Sequence, residues 1–91
     1  MKSNQDIINA FVNGKSDVSN RNLRTNFNGT KLINYSTVIA QRINGKWYVN
    51  ETKYSTSTSK IQTYVRCTLK TYTEVSGVPM GTFDLTPYIK G

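Results

Sequence analysis

The chain has no histidine and one cysteine, Cys67. A lone thiol forms no internal disulfide, and the donor cluster that holds zinc is missing, so a reducing cytoplasm is the expected setting. Acids are scarce as well. Asp6, Asp17, Glu51, Glu74 and Asp84 are the whole set, and their spacing suggests no pair for general acid–base work. No Gly-rich phosphate loop occurs in the required pattern, and Cys67 reads as a small, semi-buried apolar residue before it reads as a nucleophile. The chain is therefore expected to be no enzyme and to use no cofactor or metal. Long apolar runs are absent too: nothing approaches the roughly twenty residues of a membrane span, and MKSNQDIINAFVNGKSD lacks the apolar centre of a signal peptide. A soluble protein with no membrane partner is expected.

What is plentiful is positive charge. Twelve lysines and arginines against five acids give +7, and without histidine that sign does not vary near neutral pH. Such a balance suits polyanionic partners, nucleic acid first, and excludes an acidic nucleic-acid mimic; the plainer reading is that it only maintains solubility. Ninety-one residues suffice for one domain, 1-91, with one modest core. Asn, Thr, Ser and Tyr take much of the composition, so that core is expected to be thin, with tyrosines supplying part of its area.

Along the chain, Ile7, Ile8, Phe11 and Val12 form the stripe of a short helix over 5-13, stopped by Gly14. Two Asn-Gly pairs, Asn28-Gly29 and Asn44-Gly45, lie between β-prone runs. Both residues of a type I′ turn need positive φ, so the pairs predict a three-stranded antiparallel meander over 21-54. Two-residue loops would set Phe27 opposite Thr30 and Ile43 opposite Lys46. One face then carries Leu23, Phe27, Leu32, Val38, Ala40, Trp47 and Val49, the better core. The other carries Arg24, Lys31, Ile33, Tyr35, Ile39, Ile43, Lys46 and Tyr48. That second face has two readings: a binding surface with Tyr35 and Tyr48 as stacking platforms beside Arg24, Lys31 and Lys46, or a face half covered by the first helix or the tail. Three isoleucines exposed together would be unusual, which favours cover.

From Ile61 the pattern is ambiguous. Ile61, Tyr64, Val65, Thr68, Leu69 and Tyr72 fit a helical stripe, while Ile61, Thr63, Val65, Cys67 and Leu69 fit strand alternation. Ser59-Lys60-Ile61-Gln62 reads as a capping box, and 59-72 has neither glycine nor proline, which decides for a helix over 59-72. Lys60, Arg66 and Lys70 then lie toward solvent. The hydroxyl run before them, Ser55 to Thr58, reads as a solvent loop or as a phosphate lip at the helix start. Residues 74-91 contain Gly77, Pro79, Gly81 and Pro87 and are expected to be an extended tail, with a short strand near Thr82 to Leu85. Its apolar residues imply that it packs on the domain or on a partner.

The fold class is thus α+β. The order helix, three strands, helix looks like the double-stranded-RNA-binding domain, and the sheet with its second helix resembles three-stranded DNA-reading modules. Only Lys60 stands where the RNA-binding fold has a basic cluster. At residue level, Tyr35-Ser36-Thr37-Val38-Ile39-Ala40 followed by Asn50-Glu51-Thr52-Lys53-Tyr54-Ser55-Thr56-Ser57-Thr58-Ser59-Lys60 resembles a domain of unknown function in small phage and mobile-element proteins. That resemblance implies nucleic-acid binding, or inhibition of a host defence nucleic-acid enzyme such as a CRISPR effector. The leading expectation is a module that binds nucleic acid through backbone phosphates, with Arg24, Lys31, Lys46, Lys60, Arg66, Lys70, Tyr35 and Tyr48 as contributors. Arg21 and Arg42 either join them or guard a strand edge. Assembly through an edge strand is the third reading.

Overall fold

A computed structural model describes residues 2–89. Helix α1 spans Asn4–Val12, strands β1 to β4 span Leu23–Thr25, Lys31–Asn34, Thr37–Ile43 and Lys46–Asn50, helix α2 spans Thr56–Thr68, and β5 spans Thr73–Val75. A single turn of 3-10 helix, Thr86–Tyr88, ends the described chain. The fold is α+β, and the sheet follows chain order, β1-β2-β3-β4-β5. The first four strands are antiparallel neighbours; α2 then carries the chain across so that β5 lies parallel to β4.

Helix α1 forms where its stripe predicts. Ser3 caps it by accepting the Asp6 N–H while the Asp6 carboxylate accepts the Ser3 N–H, and Ile7, Ile8 and Phe11 are buried. Gly14 at φ 76° stops it.

The meander departs from expectation at three points. The long second strand is two strands, folded back at Tyr35-Ser36 with Tyr35 at φ 57°. The Asn44-Gly45 turn has both residues at positive φ and pairs Ile43 with Lys46, as expected for type I′. At the other pair only Gly29 is left-handed: the Gly29 N–H bonds Asn26 O, and the Asn26 side chain accepts the N–H groups of Thr30 and Lys31. Phe27 therefore sits on a loop, 80 % exposed, and is no core residue. Gly29 is needed there, since a Cβ would stand 2.8 Å from Gly14 O. Third, a bulge separates the Leu32–Ala40 and Ile33–Val38 pairs. The extra residue, Ile39, turns to the same side as Ala40, so Val38 and Ile39 exchange the faces that strict alternation predicts.

Both helices cover one face. There Ile7, Ile8, Phe11, Ile61, Val65 and Leu69 pack on Leu23, Leu32, Ile39, Ala40 and Val49, and Phe11 meets Trp47 edge to face at 5.2 Å. The tail covers the other face, with Val75, Val78 and Leu85 against Val38 and half-buried Tyr48 and Tyr88 around them. The strand expected near Thr82 to Leu85 does not form; among the described residues the only regular strand of the tail is β5. Thr82 O instead accepts the Val38 N–H, and Gln41 grips both Asp84 and the Leu85 N–H.

Helix α2 starts and ends earlier than the predicted 59-72, running Thr56–Thr68, so that Tyr72 lies beyond it. Ser55 is the cap, accepting the Thr58 N–H, and Ser59 lies inside the helix. Gln62 does not reach back to Ser59; it is buried and donates to Asn50 O at 2.6 Å and Thr52 O at 2.9 Å. A cap earlier in the run leaves Gln62 free for the sheet. Cys67, expected to be semi-buried, is exposed.

Candidate functional site

The segments 35–40 and 50–60 meet at the end of the sheet where β2 turns into β3. Asn34, just before the turn, accepts the Thr58 hydroxyl from the first turn of α2 at 2.8 Å and donates to Asn22 O at 2.9 Å. Asn50, fully buried, ties the end of β4 to Val38 O and to the Tyr54 hydroxyl. Tyr54 in turn donates to Val78 O, and Thr52 accepts the Val78 N–H. These bonds explain much of the hydroxyl run: Ser55 caps, Thr58 docks the helix on the sheet, and Tyr54 clamps the tail. Only Ser57 of the run lines an open groove with Lys60.

Tyr35 stands at the middle of this end. The residue is 64 % exposed, and its hydroxyl donates to Asn22 Oδ1 at 3.0 Å. Three grooves converge on it. The first, about 390 Å³, lies beside Arg21 and Arg24; the second, about 120 Å³, lies beside Tyr54 and Met80; the third, about 270 Å³, lies beside Lys60 and Tyr64. Among the described residues no carboxylate lines any of them. Glu51 and Glu74 instead line a groove along β5 with Tyr88. The charged side chains that line the Tyr35 grooves, Arg21, Arg24 and Lys60, are all cations.

Of the eight residues expected to contribute, the fold brings Arg24, Lys60 and Tyr35 to this end. The other five lie elsewhere. Arg66 is bound to Glu51 at 2.8 Å, and Lys31 stacks its ammonium over Phe83, 4.4 Å from the ring centre. Lys46 follows the Asn44-Gly45 turn and lines a groove with Trp47 and Tyr72, and Lys70 is exposed past the end of α2. Tyr48 packs against the tail cluster and is no open platform. Arg42 is likewise occupied, over the Trp47 ring at 5.6 Å.

Two residues of the site were not in the expected set. Arg21 carries two readings in the sequence, phosphate contact or edge guard, and stands outside the eight; Tyr64 belongs to the helical stripe expected to be buried, yet it is 46 % exposed. Its spacing held the signal, because Tyr64 follows Lys60 by four positions and shares its side of the helix. Among the described residues, Asp6 and Asp84 are the two groups whose ionisation the fold clearly shifts. Hydrogen bonds from Ser3 hold the Asp6 carboxyl below its usual range, and those from the Thr86 N–H and hydroxyl, with a smaller one from Gln41, do the same for Asp84. Neither lines the Tyr35 grooves.

No family model, curated protein or solved structure matches the chain. The site is therefore read from its own geometry. Among the described residues no cluster of His, Cys, Asp or Glu could hold a metal ion, and no helix is long and apolar enough to cross a membrane. What this end of the molecule offers is cations, exposed rings and amide groups around a fixed turn.

Proposed function

We propose that the chain binds nucleic acid without catalysis, holding backbone phosphates with Arg21, Arg24 and Lys60 around Tyr35. The observation that carries this reading is the convergence on one exposed ring of three grooves, two of them lined by those cations and none by a described carboxylate. Phosphate contacts of this kind release counterions, so affinity falls with salt in proportion to the phosphates neutralised. Three cations correspond to a slope of log affinity against log salt of roughly −2 to −3.

Fluorescence anisotropy with a labelled oligonucleotide across a salt series tests it. Arg24→Ala and Lys60→Ala are expected each to weaken binding and flatten the slope by about 0.7 to 0.9, whereas Lys46→Ala, outside the three grooves, leaves the slope unchanged. Absence of binding at low salt, or the same slope in all four proteins, overturns the proposal.

A second reading keeps the surface and changes the partner. Met80 is 74 % exposed beside Tyr35, and Phe83 is half exposed on the same tail. Apolar side chains beside cations suit a protein face, as an inhibitor of a host defence nucleic-acid enzyme would need. The resemblance of segments 35–40 and 50–60 to small phage and mobile-element proteins supports that context. A nuclease-treated pulldown separates the two: loss of all partners favours nucleic acid, and Met80→Ala abolishing a retained partner favours the inhibitor.

A further inference from the structure

The groove beside Lys60 has a tyrosine on each side. Tyr35 rises from the β2–β3 turn and Tyr64 from α2, and both leave about half or more of their surface open to solvent. Between them the wall is built of asparagines. Asn22 Oδ1 is taken by the Tyr35 hydroxyl and Asn4 Oδ1 by the Asn20 amide, so among the described residues the side-chain nitrogens of Asn22 and Asn4 have no partner. Each is left as a hydrogen-bond donor. The groove, about 270 Å³, is therefore lined by two exposed tyrosines, two asparagines whose amide nitrogens are unpartnered among the described residues, and a lysine.

That set matches an unpaired nucleotide. A free base offers an apolar face to an aromatic ring and acceptor atoms to amide donors, and its phosphate suits Lys60. A duplex offers much less to it, because its base faces are stacked on one another and its pairing edges are occupied. We infer that the occupant is single-stranded nucleic acid, with one base held against Tyr35 and Tyr64 and the adjoining phosphates on Lys60, Arg21 and Arg24. The inference rests on the nucleic-acid reading above and adds which form is bound and where its base sits.

The test measures binding at low salt for a labelled strand of about ten nucleotides and for the duplex of the same sequence, with DNA and RNA strands as separate arms. Tyr35→Gly removes one ring and suits the turn, since glycine accepts φ 57° freely. Tyr64→Ala removes the other from an exposed helix position and decides the matter if the turn variant melts early. The strand is expected to bind at least about tenfold tighter than the duplex, and each substitution to weaken strand binding by about tenfold, several times more than it weakens duplex binding. Equal affinity for strand and duplex, or a strand preference that survives both substitutions, overturns this inference and leaves phosphate binding standing. No binding to any form at low salt removes both.

Discussion

On one face of the sheet, two helices lay Ile7, Ile8, Phe11, Ile61, Val65 and Leu69 on a floor of aliphatic side chains; on the other, an irregular tail lays down Val75, Val78 and Leu85. The first cover is apolar and regular, and its helices satisfy their own backbone. The second has fewer apolar contacts and needs polar ones to hold its backbone: Thr37 accepts the Gly81 N–H, Gln41 binds Asp84 and Leu85, and Thr52 and Tyr54 hold Val78. A segment without its own hydrogen-bond ladder must borrow partners from the sheet it covers, or leave buried groups unpaired.

If the two faces differ in this way, different substitutions should break them. Phe11→Ala removes a fully buried ring that also meets Trp47, and should cost about 3–5 kcal/mol of global stability, read from a denaturant midpoint. Gln41→Ala should cost about 1–3 kcal/mol, because the buried Leu85 N–H loses its acceptor. Its distinguishing sign is location: amide exchange should speed up at Leu85 and Val38 more than in α1. Equal acceleration on both faces would erase the distinction.

Acid should give the smallest effect. The Asp84 carboxyl is held below its ordinary value near 3.8. A depressed folded value means that its contribution is fully present above the unfolded value and is lost as pH falls through the folded one. Tail amides should therefore lose protection below about pH 4, and Asp84→Asn should flatten that loss. Asp6 carries the same sign at the start of α1, so Asp6→Asn should flatten the acid response of the helix instead.

The same contrast explains what was legible beforehand. The stripe of α1 and the Asn44-Gly45 turn are local signals, written in spacing and in two residues that tolerate positive φ, and both appear as read. The Tyr35-Ser36 turn has no such signature, for tyrosine is an unusual occupant of left-handed backbone. The bulge at Ile39 was invisible for a similar reason, since an inserted residue leaves composition unchanged while exchanging faces. The cap of α2 is hard to place from sequence because five hydroxyl residues in a row offer several equivalent caps, while the bonds of Thr58 to Asn34 and of Gln62 to Asn50 and Thr52 that accompany the Ser55 cap are tertiary. Of the site, Arg24, Lys60 and Tyr35 were legible by residue type. Their convergence depends on a hairpin that the sequence does not announce.

The left-handed turn at Tyr35 has one more consequence. A surface tyrosine usually samples several orientations and gives up that freedom when something docks on it. Here the hydroxyl bond to Asn22 already restrains the ring. Whatever lands on it meets a surface ordered in advance, so the ordering cost of association falls mainly on the visitor.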